Sequence, residues 1–168
     1  GFTAPLAYMN AGIISRIDDA RFKDKKSIQL SEIDNPNYTV VMLEGDVSEM
    51  FAKVALPNTK KYALPIMSNA GDSVNSLLSG KADVFVAPKV IGDAINNVEL
   101  RVKYTPVVPP LQAYGDVIGV DIHEHELLEF LDTSVAEFLN NAAYDRIMTN
   151  YMKQFPDALM RPAKSYEN

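Results

Sequence analysis

Two short loops carry the residue types that could contact a small polar ligand. Each follows an apolar segment predicted to be a buried strand, at 38–43 in one case and at 83–87 in the other. Where strands run parallel, ligands bind beyond their carboxyl ends, where helix N-termini present free backbone N–H groups. The sequence therefore predicts a site at loops 45–48 and 87–89. The candidate ligand-contacting residues in these loops are Gly45, Asp46, Val47, Ser48, Ala87 and Pro88.

Several of these candidates also have structural interpretations. Asp46 precedes a helical pattern and has Glu49 three residues later, which predicts an N-cap with an Asp form of the capping box. Gly45 is either a turn glycine or a point where the backbone approaches a ligand, and the two are compatible. Ser48 is predicted to be an exposed first-turn residue more readily than a ligand donor. Pro88 is expected to end its strand, because it has no N–H for the ladder.

A second polar cluster, 123–126, reads His-Glu-His-Glu. Histidines two apart in a first helical turn point in different directions, and no third ligand stands near. Acidic residues there match the positive end of the helix dipole, so a helix start is favoured over a metal site. We predict neither a metal nor a cofactor.

Enzyme motifs are missing from the sequence. It has no cysteine, no nucleophile elbow, no phosphate-binding glycine loop and no HExxH. We therefore expect a binding protein. The alternative is an enzyme in which Asp46 is the acid or base.

Composition narrows the class of partner. The net charge of −6 argues against non-specific nucleic-acid binding, which needs a basic surface to neutralise phosphates, so nucleic acid is not an expected partner. With 47% hydrophobic and 23% charged residues, the chain has the composition of a globular domain. No apolar run approaches the length that crosses a bilayer.

The pattern of segments predicts an α/β fold, with a mostly parallel sheet and helices on both faces. Strands are expected at 11–14, 38–43, 62–67, 83–87, 100–108 and 114–120. Pro65 restricts the third of these to a sheet edge or a short strand. A short turn or helix is expected at 27–35, and helices at 46–55, 72–78 and 90–95. Two amphipathic helices are expected at 124–140 and 142–153.

The order of these segments resembles a known family, the amino-acid-type periplasmic solute-binding proteins. Residues 2–8, Phe-Thr-Ala-Pro-Leu-Ala-Tyr, are similar to the family's segment entering the hinge between two lobes. The most specific resemblance is at 77–87, Leu-Leu-Ser-Gly-Lys-Ala-Asp-Val-Phe-Val-Ala. Tyr114-Gly115 and the final helices resemble the return to the first lobe, so the match covers about residues 2–155.

The resemblance implies a periplasmic or extracellular protein with two lobes that close around a small polar solute. Such a protein delivers its solute to a membrane permease. The resemblance also implies a hinge and crossing strand at 1–15, a second lobe at 16–111, a return segment at 112–156 and a tail at 157–168. Most of the first lobe would then be absent. Tyr8 is a candidate for lining the cleft at the hinge, with packing in the core as the alternative. The same fold also serves as a sensory or interaction module of larger membrane proteins.

The chain departs from the family at two positions in the implied site. Asp46 stands where the family has Ser or Thr, and Pro88 where it has the aspartate that holds an α-ammonium. Both changes point away from an ordinary α-amino acid ligand.

Helical spacing of apolar residues in 127–152 predicts a core stripe. In a full clamshell this stripe packs on first-lobe strands, so here we expect it to fold back, to swap or form a homodimer with another copy, or to pair with a separate N-terminal half. The stripe consists of Leu127, Leu128, Leu131, Val135, Phe138, Leu139, Ile147, Met148, Tyr151 and Met152.

Overall fold

The structure is a computed structural model that describes residues 1–96, 101–108 and 114–162. Its strands are β1 (Ala7–Met9), β2 (Ala11–Arg16), β3 (Thr39–Leu43), β4 (Lys60–Leu64), β5 (Val84–Pro88), β6 (Val102–Pro106), β7 (Tyr114–Asp116) and β8 (Leu159–Met160). Its helices are α1 (Leu30–Ile33), α2 (Val47–Val54), α3 (Ala70–Leu78), α4 (Lys89–Asn96), α5 (His125–Leu139) and α6 (Ala142–Gln154).

The chain divides into two compact units. Unit 1 consists of Gly1–Asn10 and Ala113–Asn168, and unit 2 is the continuous segment Ala11–Gln112. The chain therefore passes between the units twice. Within the described residues, no helix is long and apolar enough to cross a membrane.

Unit 2 is built on a five-stranded sheet in the order β4-β3-β5-β2-β6. The central strand β3 is parallel to both of its neighbours. β2 runs antiparallel to β5 and β6, so four strands share one direction and β2 opposes them. The predicted α/β class is confirmed, and β4 is an edge strand that ends before Pro65, as expected.

Helices cover both faces of this sheet. On one face a core cluster joins Val41 and Phe85 of the sheet to Val74 and Leu77 of α3 and Ile95 of α4. Strand residues of the opposite parity, which include Val40 and Val86, face the other side. That side is where α2, which contacts β3 and β5, buries Phe51 and Ala52. Burial of both faces explains the unbroken apolar runs of β3 and β5.

The ends of α3 follow established capping chemistry. Asn69 is the N-cap and accepts from Gly71 N, and the Asp72 carboxylate accepts from Asn69 N in return, so α3 begins two residues before the predicted start. At the other end, Gly80 N donates to Leu77 O and Lys81 N to Ser76 O. This is a Schellman motif, and the φ of +74° at Gly80 explains its glycine.

Unit 1 holds a three-stranded antiparallel sheet in the order β7-β1-β8, together with α5 and α6. Tyr144 on α6 is buried and donates from its hydroxyl to Leu6 O at 2.5 Å. Arg161, next to β8, forms an ion pair with Asp145 on α6 at 3.0 Å and donates to Leu139 O at 2.6 Å. These contacts join both helices to the sheet segments.

The apolar stripe of α5 and α6 is partly exposed in unit 1. Among its members Val135 is buried, whereas Leu127 and Ile147 are 43% and 53% exposed. Phe138 is half-buried and packs edge-to-face on Tyr144, with ring centroids 5.3 Å apart. The expected cover of this stripe, by the second lobe, by another copy or by a separate N-terminal half, stays a prediction.

Candidate functional site

A pocket of about 230 Å³ lies in unit 2 at the carboxyl ends of β3 and β5. Of the predicted residues, it brings together Asp46, Val47 and Pro88. Gly45, Ser48 and Ala87 are adjacent in sequence but are not part of its lining. The complete lining is Leu43, Asp46, Val47, Ala70, Phe85, Val86, Pro88 and Ile91.

Asp46 is the N-cap of α2, as predicted. Its Oδ1 accepts from Ser48 N at 2.8 Å, while the side chain remains largely exposed at the pocket. The predicted capping box with Glu49 is wrong. Glu49 instead accepts from Gly45 N at 2.7 Å, because Asp46 N already donates to Leu43 O.

Ser48 corrects a second prediction. It is 1% exposed, not an exposed first-turn residue, and its Oγ accepts from Leu43 N at 3.0 Å. Leu43 ends β3, so its N–H is buried and needs an acceptor. The hydroxyl of Ser48 supplies that acceptor and fixes the start of α2 against the end of the strand.

Gly45 forms the turn between β3 and α2. Its φ is +77°, a conformation that favours glycine, and a Cβ there would lie 3.2 Å from Ile66 Cδ1. The turn-glycine interpretation is therefore confirmed. The other interpretation, a close approach to ligand, stays a prediction.

Pro88 is the last residue of β5 and pairs with Ala11 of β2, which fits the predicted strand end. Ala87 is 1% exposed and pairs with Gly12. The next residue, Lys89, begins α4, and its ammonium contacts both carboxylate oxygens of Asp93 at 2.7 and 2.8 Å. The charge of Lys89 is thus neutralised within its own helix.

The charges around the α2 loop are negative. The Lys53 ammonium and, second to it, the Gly45 N–H lower the pKa of Glu49, so this half-buried carboxyl is ionised at neutral pH. Glu44 is exposed. Asp46 is the ionisable residue that reaches the pocket itself.

Sequence reasoning missed most of the apolar lining. Ala70 begins α3 and Ile91 lies in the first turn of α4, both distant in sequence from the α2 loop. Ile91 lies three residues after Pro88, so it could have been considered as a lining residue, but its sequence position does not distinguish it from other apolar residues of α4. Ala70 carried no signal, because its place depends on how α3 packs over the sheet.

Two predicted features lie elsewhere. Tyr8 belongs to unit 1, where it is half-buried in β1 and pairs with Gly115 and Met160. His123 and His125 are exposed at the start of α5. Across 1–96, 101–108 and 114–162, no three His, Cys, Asp or Glu side chains gather as metal ligands would.

Comparison with known proteins identifies the fold. No protein-family model and no curated protein matches the chain. A binding component of an ABC transporter from Wolinella succinogenes, complexed with lysine, matches with a TM-score of 0.71 at 19% identity, over 100% of this chain and 66% of that one. Holo ArgBP from T. maritima matches with a TM-score of 0.66 at 18% identity, over 90% of this chain and 62% of that one.

A third match is the ancestral amino acid-binding protein AncCDT-1, described as a precursor of cyclohexadienyl dehydratase. Its TM-score is 0.66 at 21% identity, over 92% of this chain and 61% of that one. This chain thus spans 61–66% of the length of these proteins. The chain has the fold of the amino-acid-binding proteins of ABC transporters, as its sequence resemblance predicts.

Proposed function

We propose that this chain belongs to an extracytoplasmic solute-binding protein that serves an ABC-type transporter. Unit 2 is its second lobe, and the pocket between the α2 loop and the start of α4 contacts a small polar solute. The observation that supports this most is the position of the pocket, at the carboxyl ends of β3 and β5. Open α/β sheets bind ligands at that edge.

The pocket volume supports a partial site. At about 230 Å³ it is smaller than the roughly 300–1,000 Å³ usual for enclosed small-molecule sites. A clamshell ligand is held by both lobes, so the second lobe by itself supplies part of the contacts. We therefore expect this chain to bind its solute weakly by itself.

Binding is favoured over catalysis by the state of Asp46. It is the ionisable residue of the pocket lining, and one of its oxygens is engaged by Ser48 N as a helix cap. Acid–base catalysis needs a group free to exchange a proton with substrate. An enzyme related to the dehydratase lineage therefore has less support here than a binding protein.

The exposed apolar surface of unit 1 fits the same proposal. A groove of about 280 Å³ is lined by Leu6, Ile118, Leu131, Ser134, Val135 and Phe138. Nearby on α5, Phe130 is 67% exposed. This chain spans 61–66% of the length of the matched amino-acid-binding proteins. We propose that first-lobe segments from the remaining part of such a protein cover this apolar surface, because soluble proteins seldom leave a large apolar surface exposed to water.

The experiment is a thermal-shift and calorimetric screen of amino acids, amines, organic acids and sugars on the whole chain. A ligand at a hundredfold its Kd adds about 2.7 kcal/mol to folding stability, which a thermal shift detects. Ala70→Leu fills the pocket, and we expect it to abolish any binding.

Ala136→Leu is the matched control. It adds the same side chain at an exposed position of α5, in unit 1, and should leave binding intact. Binding that survives Ala70→Leu would place the site elsewhere. A folded chain that binds none of these solutes at millimolar concentration would contradict the proposed function.

A further inference from the structure

We infer that the unit 2 pocket selects an organic amine without an α-carboxylate over the corresponding amino acid. This inference rests on the proposed solute-binding function and names the ligand class of the same pocket. It follows from how the chain uses its own carboxylates around the pocket.

The start of α2 is the first place where a ligand carboxylate would be held. Free N–H groups at a helix N-terminus attract anions. Here Ser48 N donates to the Asp46 carboxylate at 2.8 Å, and Gly45 N donates to the Glu49 carboxylate at 2.7 Å. Protein carboxylates therefore already occupy two donors of this loop.

The loop at 87–89, between β5 and α4, offers no free cationic side chain. Pro88 has no N–H, and the Lys89 ammonium is held by both oxygens of Asp93. A ligand carboxylate entering the pocket would leave water, meet no unpaired cation from these loops and lie near the negative charge of Asp46. Unpaired burial of a carboxylate and like-charge contact both weaken binding.

The same arrangement favours a cation. Asp46 is exposed at the pocket with one oxygen engaged by Ser48 N, and Glu44 beside it is exposed. The remaining lining, which includes Phe85, Val86 and Ile91, is apolar and suits a hydrocarbon body. An ammonium head against Asp46 with an alkyl body on these side chains uses both features.

The test compares ligands that differ by one carboxylate: isopentylamine with leucine, and cadaverine with lysine. Each is titrated into the whole isotopically labelled chain, and the shifts of the Val47, Ala70 and Ile91 amides are followed by NMR. We expect each amine to bind at least tenfold more tightly than its amino acid.

Asp46→Asn tests the charge directly. Asn keeps an N-cap oxygen, so α2 is preserved. We expect it to weaken amine binding at least tenfold and not to weaken amino-acid binding. Asp24→Asn is the matched control, because it removes the same charge from a side chain that is 89% exposed. Asp24 lies in the loop after β2, where Lys103 of β6 donates to Lys23 O.

Each outcome separates the inference from the function beneath it. Equal or tighter binding of the amino acids would overturn the inference but would still support the proposed solute-binding function. The ligand carboxylate would then be held by the backbone N–H groups at the start of α4. Equal amine affinity in Asp46→Asn and wild type would overturn the role of Asp46. Absence of binding by all four ligands, together with an empty wider screen, would overturn the proposed function itself.

Discussion

The Asp83 carboxylate accepts a hydrogen bond from the backbone N–H of Thr39 at 2.8 Å. Thr39 is the first residue of the central strand β3, and Asp83 N donates in return to Thr39 O. The other carboxylate oxygen of Asp83 accepts from Arg21 at 2.5 Å. The aspartate of the Gly-Lys-Ala-Asp motif thus connects the starts of β3 and β5 to the loop after β2.

Removing that carboxylate should destabilise unit 2. We expect Asp83→Ala to lower the free energy of unfolding by about 2 kcal/mol, because it leaves Thr39 N without its acceptor and removes one of the two carboxylates that Arg21 contacts. Asp83→Asn keeps an acceptor and should cost about 1 kcal/mol. Urea unfolding measures both, with the exposed Asp24→Ala as control; a loss in Asp83→Ala no larger than in this control would contradict the assignment.

Asp19 should make stability depend on acidic pH. Its hydrogen bonds from the Arg21 guanidinium, at 2.6 and 2.9 Å, lower its pKa against the opposing effect of burial. The folded-state pKa is below the ordinary 3.8, so the contribution is complete above about pH 5 and is lost as pH falls through 3.8 towards the folded value. Thermal unfolding from pH 7 to pH 2 should show a shallower loss in Asp19→Asn than in wild type. Parallel profiles would refute this.

The buried hydroxyl of Ser48 should matter for stability independently of any ligand. Ser48→Ala leaves Leu43 N without an acceptor, and we expect a loss of about 2 kcal/mol in chemical unfolding. Ser134→Ala is the matched control, since this exposed hydroxyl donates to Phe130 O within α5 and its removal should cost less than about 0.5 kcal/mol. Similar losses in the two variants would count against the role given to Ser48.

Gly92 should be intolerant of a side chain because of Tyr104. A Cβ at Gly92 would lie 2.3 Å from Tyr104 Cδ2, so α4 packs directly on the ring. We expect Gly92→Ala to cost about 2 kcal/mol through overpacking. In a Tyr104→Ala background the clash disappears, and the same change should stabilise by about 1 kcal/mol through helix propensity. A cost that persists in that background would point to a cause other than the ring.

Much of the fold was predictable because its signals are local. Each of these signals lies within a few residues of the sequence. Examples are the apolar runs of β3 and β5 and the glycine of the Schellman motif. β1 and β8 were missed, since strands of three and two residues are too short to show a period. Their existence depends on pairing with each other across more than a hundred residues.

The pocket was predictable in position more than in the detail of its lining. The rule that ligands bind at the carboxyl ends of strands led to Asp46, Val47 and Pro88. The rule did not show that Ser48 is buried against the end of β3, outside the pocket lining. A serine in the first helical turn gives the same sequence pattern whether its side chain faces solvent or the end of a strand. Ala70 could not be found, since its place depends on tertiary packing.

The strand pairing of unit 1 has a consequence for synthesis of the chain. β1 pairs Ala7 with Asp116 and Tyr8 with Met160, so its partners are translated after the whole of unit 2. Unit 2, a continuous segment, has all its strands available by about residue 112. We expect it to fold first, while β1 stays unpaired until β7 and then β8 have been synthesised.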